Sequence, residues 1–255
     1  MTFSATQYPD VNALLHDLQR GAQNILGENF AGMYLYGSLS SGDFNPESSD
    51  IDFVIVTAVS IPARQLPLLE ELHRELTAVH PHWAFHLEGS YVPLADLRRY
   101  DPEGGPYPQW HEGRFYLGKH GSDWIIQRHV MREQGLVLAG PPPESLIDPV
   151  SPDDLRRAVR GALAEWWAPM LDNPTWLQDR LYQAFGILTM CRALHTLATG
   201  TIVSKPAAAA WAKELENGRW SSAIDAALRW PHQPQPDDLP AMLDLLRYTL
   251  ERAGR

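Results

Sequence analysis

The feature that most constrains this chain is the run Ile51 to Thr57 (IDFVIVT), which is β-branched and almost wholly apolar. Such a run reads as a buried strand, because branched side chains pack well on a pleated surface and a half-solvated strand would alternate with polar residues. The neighbouring segments are read outward from it. Val11, Leu14, Leu15, Leu18, Ala22 and Ile25 recur at helical spacing and predict a helix over Val11 to Leu26. Phe30 to Tyr36 is a short apolar and aromatic run, predicted as a strand that stops at Gly37-Ser38. Ser40 to Ser49, with Gly42, Asn45 and Pro46, reads as a polar loop. Pro62 to Val79 has an amphipathic helix pattern, and Trp83 to Val92 is a third strand candidate that Gly89 interrupts. The stretch Tyr100 to Gly121 is rich in Gly and Pro, and a loop of that length is expected to be functional or to carry a hairpin. Ser122 to Glu133 reads as a helix.

The pattern then changes. Gly140-Pro141-Pro142-Pro143 breaks it, and Ser151-Pro152-Asp153-Asp154 reads as a helix start, with an N-cap serine, proline at the first helical position and acids in the first turn. Leu155 to Ala168, Thr175 to Ala198, Ser204 to Glu216, Ser221 to Trp230 and Asp238 to Ala253 all read as helices, with no strand among them. The expectation is a domain of alternating strands and helices over residues 1–150 and a helical domain over 151–255. Trp166, Trp167 and Trp176 are expected in the helical core, as is Cys191.

Composition narrows the function classes. The 255 residues carry 21 Lys and Arg against 31 Asp and Glu, a formal charge of −10. That argues against a nucleic-acid partner, since phosphate contacts need clustered cations. One cysteine excludes an internal disulfide and a Cys-rich zinc site. No apolar run approaches the roughly 18 residues of a membrane span, and MTFSATQYPD lacks the basic and apolar regions of a secretory signal. A soluble, cytoplasmic monomer without membrane attachment is expected.

The chemistry-bearing residues cluster around the anchor strand. On a strand, residues i and i+2 face the same side, so Asp50 and Asp52 project together, about 6–7 Å apart, and can converge on a hard divalent cation. Ile51 between them would face the core. Gly37 permits a sharp turn and close approach of backbone N–H groups to a phosphate, and Ser38 adds a hydroxyl. Two neighbouring strands would thus offer a phosphate cradle and a carboxylate pair at one edge. His80, His82 and His86 are close in sequence, but a loop without fixed geometry makes a poor zinc site.

The segment YLYGSLSSGDFNPESSDIDFVIV resembles the nucleotidyltransferase pattern of Gly-Ser followed by D-x-D. Within that superfamily the chain resembles the aminoglycoside adenylyltransferases that modify streptomycin and spectinomycin. VLAGPPPESLIDPV, 137–150, is similar to the segment that ends that family's first domain. LTMCRALHTLATGTIVSKPAAAAWA, 188–212, is similar to its second-domain signature. The resemblance implies an α+β protein, with a nucleotidyltransferase fold of mixed sheet and flanking helices plus an all-α helical bundle that closes the nucleotide and substrate cleft. It implies transfer of AMP from ATP to a hydroxyl of a small, cationic aminoglycoside, with Mg2+ as cofactor. Residue by residue, Gly37 and Ser38 match the triphosphate loop, Asp50 and Asp52 the magnesium ligands, and Glu88 the catalytic base. Arg192 and Lys205 match phosphate contacts, and Trp110 and Asp179 are the nearest candidates for drug contacts. Two alternatives stay open: an AMP-transferase acting on protein or RNA, and a catalytically silent nucleotide-binding protein.

Overall fold

A computed structural model describes residues 5–47, 49–230, 232 and 238–254. The chain divides into two compact units, one of residues 1–120 and 127–149, the other of residues 121–126 and 150–255.

The first unit carries α1 (Pro9–Leu26), β1 (Phe30–Leu35), α2 (Ser38–Ser41), β2 (Ile51–Thr57), α3 (Leu66–Val79), α4 (Pro81–Ala84), β3 (Leu87–Pro93) and α5 (Leu94–Leu97). It continues with β4 (Tyr107–His111), β5 (Arg114–Gly118), most of α6 (Trp124–Gln134), β6 (Leu136–Ala139) and α7 (Pro143–Leu146). The strands form one sheet in the order β5-β4-β3-β2-β1-β6. Only β2 and β3 run parallel; the other neighbours are antiparallel, so the sheet is mixed.

Strand alternation sends Ile51, Phe53 and Ile55 of β2 to one face, with Met33 and Leu35 of β1, Leu87 and Tyr91 of β3, and Trp110 of β4. The helical stripe of α1 (Val11, Leu14, Leu15, Leu18, Ala22) and Leu69, Leu72 and Leu76 of α3 close over them in one apolar cluster. Removing a large member such as Phe53 from a core like this costs about 3–5 kcal/mol. On the other face Val54, Val56 and Val92 are buried, together with Leu97 and Met131. Buried Arg128 donates from Nε to the Leu97 carbonyl and from Nη2 to the Asp96 carbonyl, which satisfies its charge with fixed dipoles.

Three local outcomes differ from the sequence expectation. The third strand begins at Leu87, because Pro81–Ala84 forms a helical turn instead. Gly89 does not interrupt that strand; a Cβ there would lie 2.3 Å from the Phe53 carbonyl oxygen, so its glycine allows β3 to seat against β2. The long Gly/Pro-rich stretch holds a hairpin, one of the two outcomes expected of it: β4–β5, turned at Glu112-Gly113 with φ of 48° and 74°. Positive φ at both central residues matches the tight turns that suit strand twist. Strand β6 has no counterpart in the sequence reading.

The second unit contains α8 (Pro152–Ala162), α9 (Arg180–Thr199), α10 (Lys205–Ala212), α11 (Ser221–Arg229) and α12 (Leu239–Ala253), with no strand among its described residues. Ser151 caps α8 as expected, its Oγ accepting from the Asp154 N–H at 3.1 Å. Trp167 and Cys191 lie in the core of this bundle with Leu163, Ile187 and Met190. Trp166 and Trp176 do not. They are 51% and 59% exposed, which corrects the expectation that all three tryptophans are buried. Trp166 and Trp167 are adjacent in the π-helical turn Leu163–Trp167, and neighbouring helical residues point to different sides, so only one of them faces the core.

Two buried histidines make this fold acid-sensitive. His73 stacks on Trp110 at 4.6 Å, and its Nε2 lies 2.9 Å from the Tyr91 hydroxyl. Burial pushes its pKa down to about 3. His120, 3.0 Å from Ser90 Oγ, is pushed down to about 2 by burial and by nearby Arg128. Both folded values lie below the unfolded value of about 6.5, so their contribution is complete above pH ~6.5 and is lost as pH falls toward about 3. Each titrating histidine adds up to ~1.4 kcal/mol per pH unit to that slope. The urea midpoint is expected to fall between pH 7 and pH 5. His73→Phe should start lower at pH 7, having lost the Tyr91 hydrogen bond, yet fall less over the same interval; an unchanged slope would count against His73 as a source.

Candidate active site

The site is built where β1 ends beside β2. Leu35 pairs with Phe53, and the Tyr36 N–H donates to the Asp52 carbonyl at 3.1 Å, so the chain leaves β1 directly alongside Asp52. Gly37 follows with φ +67°, and a Cβ there would sit 1.9 Å from Asp52 Oδ2. Two independent constraints, a left-handed backbone and an occupied side-chain position, therefore require glycine. The turn is fastened by Ser40 Oγ and by the Ser41 N–H, both donating to the Gly37 carbonyl. Ser38 is half-buried at the start of α2.

Across the sheet, β2 and β3 pair in parallel register, with Ile51 opposite Leu87 and Asp52 opposite Glu88. Residues level on neighbouring strands share a face, so Asp52 and Glu88 stand side by side. Asp50 precedes the strand by one residue and is exposed; Ile51, between the two aspartates, is fully buried in the core, as the sequence predicts. The row continues onto β4. Gly89 pairs with Trp110 in antiparallel register, which brings His111 level with Glu88.

Histidines partner two of these carboxylates. His86 Nδ1 lies 3.3 Å from Asp50 Oδ1, and His111 Nε2 lies 2.9 Å from Glu88 Oε1. The hydrogen bond to Glu88 raises the His111 pKa above its usual value, against an opposing effect of burial, and the charges of Glu88, Glu112 and Asp50 add to the rise. Sequence reasoning missed His111. Its signal, a histidine one residue from a hairpin turn, has meaning only once the β4–β5 register is known. His80 does not join His86; its Nε2 bonds Asp17 at 3.0 Å, linking α3 to α1.

The donor set can be tested for a cation. Among the described residues no group of three His, Cys, Asp or Glu is arranged to hold a metal. Asp50 and Asp52 present carboxylates at one strand edge, with Gly37 leaving room against the Asp52 carboxylate. Carboxylate oxygens are the donors that suit a hard dication, which takes its remaining ligands from phosphate and water.

The other sequence-predicted residues fall elsewhere. Trp110 is 4% exposed, stacked on His73, and donates from Nε1 to the Ala84 carbonyl at 3.3 Å. It is a core residue of the sheet, which corrects its reading as a drug contact; alternation on β4 points it away from the carboxylate face. On the second unit, Asp179 is the N-cap of α9, its Oδ1 accepting from the Leu181 and Tyr182 N–H groups. The cap uses only that oxygen. Arg192 and Lys205 are half-buried on or at the start of helices of the same unit, and Lys205 Nζ lies 5.3 Å from the centre of the Phe185 ring. A groove of about 870 Å³ between α3 and the β4–β5 hairpin is lined by Glu70, Arg74, Arg114 and Tyr116, and meets the carboxylate row only at His111.

Comparison with known proteins agrees with this geometry. Residues 21–95 match the nucleotidyltransferase domain model, and residues 145–247 match the model of the aminoglycoside adenylyltransferase C-terminal domain. An aminoglycoside (3'') (9) adenylyltransferase of Shigella flexneri is 26% identical over 249 residues, covering 93% of this chain and 91% of the relative. One from Klebsiella pneumoniae is 28% identical over 226 residues, covering 84% and 82%. A spectinomycin 9-adenylyltransferase of Staphylococcus aureus is 26% identical over 220 residues, covering 80% and 79%. The crystal structure of a spectinomycin adenyltransferase from Enterococcus faecialis with ATP and spectinomycin shares the fold, with a TM-score of 0.75 at 18% identity, covering 95% of this chain and 99% of that one. Fold, sheet edge and domain match together define a nucleotidyltransferase. Within that class, with both units matched in sequence, the chain resembles the aminoglycoside adenylyltransferases.

The fit of Gly37 against Asp52 can be measured without any ligand. Gly37→Ala should destabilise the first unit by about 1–2 kcal/mol, the cost of a left-handed backbone at a residue with a Cβ, with the clash added to it. Asp52→Ala should restore part of that loss, giving non-additive unfolding energies in the double variant. Additive energies would show that the two side-chain positions do not compete.

Proposed function

We propose that this protein is a Mg2+-dependent adenylyltransferase that moves AMP from ATP to a hydroxyl of a streptomycin- or spectinomycin-type aminoglycoside and releases pyrophosphate. The observation that carries the reading is the in-register placement of Asp52 and Glu88, with Asp50 two residues along and Gly37 against Asp52. Asp50 and Asp52 are the residues that would hold the cation. When bound, magnesium supplies charge neutralisation at the phosphate oxygens and the leaving pyrophosphate. Gly37 and Ser38 would face the triphosphate with backbone N–H groups and a hydroxyl.

The reaction joins the acceptor oxygen to the α-phosphorus and breaks the bond to the bridging oxygen of pyrophosphate. The acceptor proton must leave as its oxygen attacks, and Glu88 is the base placed to take it. Oε1 of Glu88 is held by His111, which leaves Oε2 for the acceptor hydroxyl. Arg192 and Lys205 are the cations that would offset charge on the β- and γ-phosphates, Arg192 with a planar fork suited to two oxygens at once.

Exposed aromatic side chains of the helical unit are the candidates for acceptor contacts. Trp166 and Trp176 are exposed, Trp166 donates from Nε1 to the Tyr182 hydroxyl at 3.0 Å, and Tyr182 lies 5.7 Å from the Trp176 ring. Exposed aromatic faces beside the second oxygen of Asp179 suit a polar, cationic ring. The acidic net charge favours such an acceptor. Modification of a drug hydroxyl would make the chain a resistance enzyme, and ATP as co-substrate fits work in the cytoplasm. Among the described residues no helix is long and apolar enough to cross a membrane.

Pyrophosphate release from Mg-ATP should appear on addition of streptomycin or spectinomycin. No release with either, or with a broad aminoglycoside panel, would remove the acceptor assignment. Asp50→Asn should abolish turnover. Glu88→Gln should retain Mg-ATP binding in calorimetry while turnover falls by roughly a hundredfold or more, the usual scale for a general base.

A further inference from the structure

His111 is the side chain that touches the proposed base, and its contact with Glu88 has a consequence for turnover. We propose that His111 is a positioning residue: its Nε2–H holds Oε1 of Glu88 so that Oε2 faces the acceptor hydroxyl. The inference rests on the assignment of Glu88 as the base.

The geometry supports it in three ways. The separation of 2.9 Å between Nε2 and Oε1 is a hydrogen-bond distance, and a carboxylate oxygen only accepts, so Nε2 must carry the proton. The contact is fixed by the backbone. Trp110, immediately before His111, is locked in the core by its stack on His73 and its bond to the Ala84 carbonyl. Arg114 pairs with His111 to close the tight turn, which fixes the backbone at His111. A base supported on a neighbouring strand keeps one rotamer, where a free glutamate would sample several. The donor also spends only one carboxylate oxygen. His111 is 47% exposed and Glu88 28%, so the pair sits at the surface where an acceptor can arrive.

A structural reading of the same pair, a strand-to-strand ion pair and nothing more, predicts a different result. Exposed pairs contribute about 0.2–1 kcal/mol to stability, and their loss leaves kcat untouched. For a positioning residue, His111→Ala should lower kcat by roughly tenfold or more, the scale for losing a support of a catalytic group. KM for Mg-ATP and its calorimetric affinity should stay within about twofold. His111→Gln, whose amide N–H can still donate to Oε1, should recover most of kcat. In a Glu88→Gln background His111→Ala should add less than about twofold, since the group it positions is already gone.

The experiment measures kcat and KM for Mg-ATP and for the acceptor in the full chain, in the wild type, the three single variants and the His111→Ala, Glu88→Gln double variant, with thermal melts alongside. Full activity of His111→Ala, an increase in kcat, equal loss in the Ala and Gln variants with unchanged melting, or full additivity with Glu88→Gln would each overturn the proposal. An inactive wild type, or an active Glu88→Gln, would instead overturn the adenylyltransfer reading or its base, so the two failures are told apart. If His111→Ala melts much lower than wild type, the comparison passes to His111→Gln against His111→Leu, which share the turn and differ in the donor.

Discussion

The site depends on the register between β2 and β3. Side chains alternate faces with period two, so Asp52 and Glu88 stand together only because Ile51 pairs with Leu87 and Val54 with Ser90. A slip of one residue would send Glu88 into the apolar face and bring Leu87 or Gly89 beside Asp52. That slip is opposed by the same residues that make the core. Leu87 and Tyr91 of β3 are fully buried on the helix-covered face with Phe53 and Ile55 of β2, and both would be turned outward by it. The fit of Gly89 to the Phe53 backbone adds a positional lock, because any other residue at that level would meet the Phe53 carbonyl. The placement of the carboxylates and the packing of the core are therefore one constraint read on two faces of the same strands.

This explains what was legible in the sequence. β2 was legible because its burial on both faces writes itself as an unbroken apolar run. The carboxylate pair was legible because i, i+2 spacing on a strand is a geometric statement in itself. Helices α1 and α3 were legible from their apolar stripes, and α8 from the Ser151 cap. The β4–β5 hairpin was not, although the length of the Gly/Pro-rich stretch hinted at it. Strand β5 alternates weakly, with Tyr116 and Leu117 both exposed, and its turn uses Glu112, a residue that rarely takes positive φ. β6 is four residues beside a triple proline, too short to carry a period.

The same missing register accounts for the site residues that were misread or missed. Trp110 was placed by resemblance at the drug and stands in the core. A tryptophan beside a turn looks like a ligand platform until the pairing of Trp110 with Gly89 shows which face it takes. His111, next to it, carries the opposite lesson: alternation that buries one residue delivers its neighbour to the carboxylates. In the helical unit, the tryptophans were expected inside on the ground that large aromatics fill small cores. Trp166 and Trp167 are adjacent on one helical turn and cannot both face the core, and Trp176 lies in a short 3-10 turn outside the long helices.

Gathering carboxylates at one rim has an electrostatic cost that the fold must offset. Asp52 and Glu88 are level on neighbouring strands with Asp50 two residues along, so like charges are gathered at one edge. The partners found are histidines, His86 on Asp50 and His111 on Glu88. The choice has a physical logic. An arginine there would be charged at every pH and would hold its carboxylate in a bidentate fork, competing with a cation and with an acceptor proton for the same oxygens. A histidine donates one hydrogen bond to one oxygen. His86 meets Oδ1 of Asp50 and His111 meets Oε1 of Glu88, so each contact is a single point. Single-point partners suit the proposed site, which would bind a dication at one carboxylate and pass a proton to the next.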